Sequence, residues 1–207
     1  MGVIARSWNR MDGAISTLGT PKQQLDLLEL GIQEVNAGTT QGHLRDYYAK
    51  QFASYISLDL HRGPGVMEFD LAVYDPSAFS VDVITNIGTT EHVEYQQGQY
   101  NCWSNIHSWL RVGGIAIHEI PAVASWTNHC RYYADYPFFQ WFETFGYKIV
   151  ELDVHGWEGQ GNLMWAVLQK QESLPFPTME QFYQRMQFKQ DNSIAGEAAN
   201  NNPKSLG

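Results

Sequence analysis

Charge is scarce in this chain of 207 residues. Only 17% of positions are charged, and 13 Lys and Arg stand against 22 Asp and Glu, a formal net charge of −9. No cluster of Lys or Arg occurs. A protein that binds nucleic-acid phosphates needs a basic surface to release counterions, so such partners are not expected. Cysteine is nearly absent: Cys102 and Cys130 lie far apart without a Cys-x-x-Cys spacing, which argues for reduced thiols rather than a disulfide framework. Long apolar runs are also missing, and none approaches the ~20 residues of a membrane span. The opening residues Met1-Gly2-Val3-Ile4-Ala5-Arg6-Ser7 contain no apolar signal core. The expectation is a cytoplasmic protein without a membrane partner.

Core material is plentiful, with 43% apolar and 14% aromatic residues. The length suits one domain. Residues 1–20 read as an N-terminal segment, a short helix or a flap, and residues 21–170 as the domain proper. Residues 171–207 form a C-terminal extension. It carries an amphipathic stretch over 179–186 and then an Asn-, Ala- and Gly-rich end, which has too little apolar surface to offset its ordering entropy and is expected to be partly disordered.

Between them, apolar runs and helical periodicities alternate. Residues 25–30, 55–59, 81–86, 115–118, 148–152 and 163–168 read as strands. Residues 42–52 suit a helix. Tyr100, Trp103, His107 and Leu110 recur at helical spacing before Gly113-Gly114, where that helix is expected to stop. Phe138, Trp141, Phe142 and Phe145 do the same before Gly146. The link His61-Arg62-Gly63-Pro64-Gly65 is far shorter than the ~12 residues of a parallel crossover, so residues 66–69 are expected to form a stub. Strands separated by helices predict an α/β fold whose mostly parallel sheet is covered on both faces. In such sheets ligands bind beyond the carboxyl ends of the strands, where Glu29, Gly31, Asp59, Asn86 and His118-Glu119 would gather.

Four segments carry a family resemblance. They are Leu28-Glu29-Leu30-Gly31-Ile32-Gln33-Glu34-Val35-Asn36, Tyr55-Ile56-Ser57-Leu58-Asp59-Leu60-His61-Arg62-Gly63-Pro64-Gly65-Val66, Thr85-Asn86-Ile87-Gly88-Thr89-Thr90-Glu91-His92-Val93, and Asn105-Ile106-His107-Ser108-Trp109-Leu110-Arg111-Val112-Gly113-Gly114. In this order the chain resembles the class I S-adenosylmethionine-dependent methyltransferases, over about residues 25–170, and is most similar to a subgroup with a shortened glycine motif. Gln33 and Val35 stand where that motif has its later glycines, with Gly38 as partial compensation. The resemblance implies a Rossmann-like sheet with its last strand antiparallel, and S-adenosyl-L-methionine as cofactor. Glu29 and Gly31 would lie at its methionine end, Asp59 on the ribose hydroxyls, Asp70 at the adenine amino group, and Asn86 near the acceptor.

Methyl transfer from a sulfonium is an in-line displacement, and an oxygen or nitrogen acceptor also needs a base. His92 and His118 are the candidates, with Glu91 and Glu119 to orient them. Trp126, Tyr132, Tyr133 and Tyr136 are candidates for an acceptor pocket or lid, and Trp157 with Gly156, Gly159 and Gly161 for a mobile loop. No metal site is expected: His107 lies on a packing face, and His118 and Glu119, adjacent on a strand, point to opposite faces. The expected function is methyl transfer to the oxygen or nitrogen of a small acceptor, a sugar or metabolite. A catalytically inactive binding or scaffolding relative is the alternative. A nicotinamide oxidoreductase is disfavoured because the first turn lacks Gly-x-Gly-x-x-Gly.

Overall fold

The computed structural model describes residues 3–37, 40–123, 125–126, 129–130, 132–157 and 161–185. Gly38, Gly159 and the chain beyond Arg185 lie outside the described residues, and so does the expectation of disorder there. In chain order the elements are β1 (Val3–Ile4), α1 (Ala5–Ser16), β2 (Asp26–Leu30), β3 (Glu34–Ala37), β4 (Thr40–His43), α2 (Leu44–Tyr48), β5 (Ser54–Asp59) and β6 (Val66–Glu68). There follow β7 (Val81–Ile87), α3 (Gln96–Trp109), β8 (Leu110–Pro121), α4 (Tyr136–Trp141), β9 (Tyr147–Trp157), β10 (Gly161–Lys170) and α5 (Met179–Arg185).

Seven of these strands form one sheet in the order β6-β5-β2-β7-β8-β10-β9. Each neighbouring pair from β6 to β8 is parallel, and β10 runs antiparallel to both β8 and β9. This is the Rossmann-like arrangement, with the last strand reversed. Alternation along the strands explains the two covered faces. Leu27, Val83, Ile115, Ile117, Trp165 and Val167 share one core with Met11, Ala14 and Ile15 of α1 and Leu44 and Tyr48 of α2. Their sequence neighbours Leu28, Ile84, Ala116, Met164, Ala166 and Leu168 face the other way, onto Trp103 and Ile106 of α3 and Phe138 and Phe139 of α4. β6 is the stub expected from the short Gly-Pro-Gly link.

Three elements differ from the sequence reading. The helix expected over residues 42–52 is only α2, because β3 and β4 pair as an antiparallel hairpin before it. The first residues fill the space this leaves: β1 pairs parallel with β3, and α1 lies across the sheet. There Arg10 of α1 bonds Glu151 at 2.9 Å and Asp153 at 3.0 Å and stacks its guanidinium 4.3 Å over Trp165. The Gly113-Gly114 pair does not stop α3, which ends at Trp109. It forms a bulge inside β8, where Val81 pairs with Leu110 and Val83 with Ile115. Gly114 is needed there, since a Cβ would sit 2.6 Å from the Asp82 carbonyl. Gly156 pairs with Asn162 and Gly161 with Trp157 in the β9–β10 hairpin.

The end of α3 is closed from outside the helix. Lys170, 4% exposed, donates from Nζ to the His107 carbonyl at 2.7 Å and the Leu110 carbonyl at 3.0 Å, acceptors that no helical N–H reaches. Lys170→Met keeps the apolar stem and removes both bonds. It is expected to cost about 2 kcal/mol, read as a lower urea midpoint with unchanged denaturant slope. His107 adds a pH dependence. Its Nδ1 accepts from the Tyr147 hydroxyl at 3.0 Å and its Nε2 donates to the Leu174 carbonyl at 2.8 Å. Burial, with the Lys170 ammonium, pushes its pKa down to about 4 from 6.5, against the Leu174 bond. The unfolded chain therefore takes up this proton first, and stability falls as pH drops from about 6.5 towards 4. His107→Asn is expected to make the slope of unfolding free energy against pH shallower by one proton in that window.

Candidate functional site

The carboxyl ends of β2, β5 and β7 open on a cleft of about 430 Å³ lined by Gly31, Gln33, Asp59, Phe69, Asp70, Thr89, His92 and Tyr95, among others. Parallel strand ends leave backbone N–H groups without sheet partners, and acidic side chains take them up here. Asp59 accepts from the Ile32 N–H through Oδ2 at 3.1 Å and from the His61 N–H through Oδ1 at 3.0 Å. One carboxylate thus ties the turn after β2 to the turn after β5. Gly31 donates to the Leu58 carbonyl at 2.7 Å. It has φ +74°, and a Cβ there would fall 2.3 Å from Thr89 Oγ1, so only glycine fits. Thr89 in turn donates to the Leu30 carbonyl at 2.7 Å and accepts from Gln33 Nε2 at 3.2 Å.

Glu29 lies behind this turn and does not line the cleft. It is fully buried, accepts from the Gln33 N–H at 3.1 Å and also holds the Ser57 hydroxyl. Burial pushes its pKa up to about 7 in spite of the two donors. Asp70 does line the cleft, with Oδ1 held by the Ala72 N–H at 2.8 Å, whereas the nearby Asp75 is outside it.

Asn86 and His118 also sit behind the cleft. Asn86 Oδ1 accepts from the Thr90 N–H at 3.1 Å, which sets the amide so that Nδ2 donates to Thr90 Oγ1 at 2.8 Å and to His118 Nδ1 at 3.0 Å. The His118 proton is therefore on Nε2, which is buried without a partner among the described residues. The ring is wedged against Trp103 and Phe139, and burial takes its pKa down to about 3. This corrects the expectation of His118 as a base, since its one lone pair is engaged and the cleft is out of reach. Glu119 does not orient it either: it faces the opposite side of the sheet and bonds Ser7 at 2.8 Å and His155 at 3.0 Å.

His92 is the histidine at the cleft, with 45% of its side chain exposed and Nε2 3.7 Å from the buried Glu91 carboxylate. Burial pushes the Glu91 pKa up to about 8. Of the aromatic residues after β8, Trp126 and Tyr133 stand near this histidine by way of His129, whose ring is 5.1 Å from His92. Trp126 packs at a tilt against His129 at 5.1 Å and meets Trp157 at 6.2 Å, and the Tyr133 hydroxyl donates to the Trp126 carbonyl at 2.7 Å. So Gly31, Asp59, Asp70 and His92 come together, while Glu29, Asn86 and His118 support them from behind. Thr89 and Gln33 were missed as shaping residues. The spacing Gly31 to Gln33 hinted at the second, but nothing local ties Thr89 to a strand end 59 residues earlier.

No family model matches this sequence, and no curated protein matches it. Solved structures do resemble the fold. The 1,6-didemethyltoxoflavin-N1-methyltransferase of Burkholderia thailandensis, bound to 1,6-didemethyltoxoflavin and S-adenosylhomocysteine, is 14% identical over 78% of this chain and 76% of that one, with a TM-score of 0.59. The N-methyltransferase NodS of Bradyrhizobium japonicum WM9, in complex with S-adenosylhomocysteine, is 16% identical over 80% and 88%, with a TM-score of 0.55. Magnesium protoporphyrin IX methyltransferase of Synechocystis PCC 6803, with bound S-adenosylmethionine, is 13% identical over 78% and 79%, with a TM-score of 0.52. The strand order and the reversed strand agree with these matches: this chain has the fold of the class I S-adenosylmethionine-dependent methyltransferases.

Proposed function

We propose that this chain transfers a methyl group from S-adenosyl-L-methionine to an oxygen or nitrogen of a small acceptor. The observation that carries the proposal is the meeting of Asp59 and the bare Gly31 turn at one open cleft. When bound, S-adenosylmethionine supplies an electrophilic methyl carbon on a sulfonium. The chain's own residues bind, align and handle the proton.

The cleft fits such a ligand chemically. Each Asp59 oxygen spends one lone pair on a backbone N–H and keeps another for a ribose hydroxyl, a charge-assisted bond of about 1.5–3 kcal/mol. Gln33 Oε1 is buried without a hydrogen-bond partner among the described residues, beside the Gly31 turn, and suits the ammonium of the methionine end. Asp70 is the acceptor for the adenine amino group. Phe69, Leu71 and Val93 offer apolar walls to the base. Alignment of acceptor and methyl provides much of the acceleration. The acceptor enters by the His92, Trp126 and Trp157 side, where His92 stands to deal with its proton. The scaffolding alternative has one observation in its favour: the Gln33 side chain occupies the line of the glycine motif. A small acceptor, no nucleic-acid partner and a cytoplasmic setting remain parts of this proposal.

Calorimetric titration with S-adenosylhomocysteine is the direct test. Micromolar-range binding is expected, weakened ~30-fold or more by Asp59→Asn as one charge-assisted pair of contacts is lost, with the thermal midpoint monitored for loop damage. Gly31→Ala is expected to abolish binding and lower the midpoint, since φ +74° and the Thr89 contact both oppose a Cβ. Absence of binding by the wild type, or a preference for NAD, would sink the proposal. Binding with no turnover over a broad acceptor panel would favour the scaffold.

A further inference from the structure

Beside the cleft, three side chains converge from two separate loops. Glu91 and His92 close the 3-10 turn Thr90–His92 that follows β7, and His129 belongs to the segment after β8. A backbone contact fastens these loops together, the Glu91 carbonyl accepting from the Tyr132 N–H at 3.1 Å. Within the second loop the His129 N–H donates to the Trp126 carbonyl at 3.0 Å. The His92 and His129 rings stand 5.1 Å apart between centroids. One ligand atom from each of Glu91, His92 and His129 lies within 4.8 Å of the others.

Glu91 makes this more than a chance grouping. It is 2% exposed, and neither carboxylate oxygen has a hydrogen-bond donor among the described residues. A buried carboxyl with both oxygens open is costly in its ionised form unless a cation meets it. The two flanking imidazoles are exposed and can turn by the small amount that closes the ligand spacing to the ~3.4 Å of a first-row ion with bonds near 2.0–2.2 Å. We infer that Glu91, His92 and His129 form a divalent transition-metal site at the lip of the cofactor cleft. Two imidazole nitrogens and one carboxylate suit Zn²⁺ and its first-row neighbours, whereas Mg²⁺ and Ca²⁺ favour oxygen sets. Three protein ligands leave coordination positions open, as catalytic metal sites do.

This site deepens the methyl-transfer reading and rests on it for its role. An acceptor hydroxyl ligated to the ion loses its proton near neutral pH, so its lone pair is available for the sulfonium methyl. The methyl carbon gains the acceptor–carbon bond, the carbon–sulfur pair returns to sulfur, and the acceptor's proton leaves to solvent. With a ring nitrogen on the ion, His92 acts as a ligand and not as a base, and the ion takes over the proton-releasing role.

The test uses untagged full chain stripped with chelator and titrated with Zn²⁺, the bound metal counted by elemental mass spectrometry, and Co²⁺ as an absorption probe. One ion per chain is expected, with visible bands of low-symmetry Co²⁺. Affinity should fall ~10-fold or more in His129→Ala and in Glu91→Gln. S-adenosylhomocysteine binding should be unchanged in His129→Ala, because His129 does not line the cofactor cleft; this also reports an intact fold. No stoichiometric ion in the wild type, or affinity indifferent to both substitutions, overturns the site. Nucleoside binding without any metal leaves the methyltransferase reading standing alone, and metal binding without the nucleoside supports the site while removing its proposed role.

Discussion

The Asp59 carboxylate spans two loops by accepting a backbone N–H from each, at Ile32 and at His61, and the shape of the cleft follows from that bridge. Parallel strands finish together at one edge of a sheet, and their last N–H groups point into the ligand-binding space. Something charged or polar must satisfy them before any ligand arrives. Glu29 does the same one layer deeper for the Gln33 N–H, and Asn86 at the end of β7 does so for the Thr90 N–H, while Thr89 donates to the Leu30 carbonyl. The cleft is therefore preorganised by side chains that hold the strand tips, with a second set of lone pairs left for a guest.

A polar layer of this kind is affordable only over a dry core. Here the two faces of the sheet are sealed differently. One carries a dense aromatic layer from α3, α4, the 3-10 turn after α4, and α5, in which Trp103, Phe138, Phe142 and Phe182 interlock. The other is closed by α1 and α2, short helices that reach across the sheet with the help of Arg10 and its two carboxylate partners. The β3–β4 hairpin takes the place that a longer helix was expected to fill, and the first residues of the chain compensate by covering β8, β9 and β10. Burial on both sides is also what silences His107 and His118 as bases and raises Glu29 and Glu91. The same desolvation has opposite consequences for cations and anions.

Much of the fold was legible in the residue pattern. The β-strand runs, the Gly-Pro-Gly link too short for a helix, and the aromatic spacing before Gly146 are local signals that depend on period and turn chemistry alone. The misplaced parts had conflicting local signals. Residues 42–52 look helical only if the hairpin preceding them is ignored, and the Gly113-Gly114 pair marks either a helix stop or a strand bulge. Register against β7, a contact with residues some thirty positions away, selects the bulge.

The amino-acid order alone was enough to fix the strand succession and to bring Gly31 and Asp59 to neighbouring strand ends, because both depend on alternation and on short-range turns. Which polar groups face the cleft was settled by three-dimensional packing. Strand alternation puts His118 and Glu119 on opposite faces, but packing decides that both are buried away from the cleft, and His92 meets His129 where a main-chain hydrogen bond from Tyr132 to Glu91 ties two loops together. Burial depth and long-range loop contact are properties of the assembled sheet, so no local window of residues contains them.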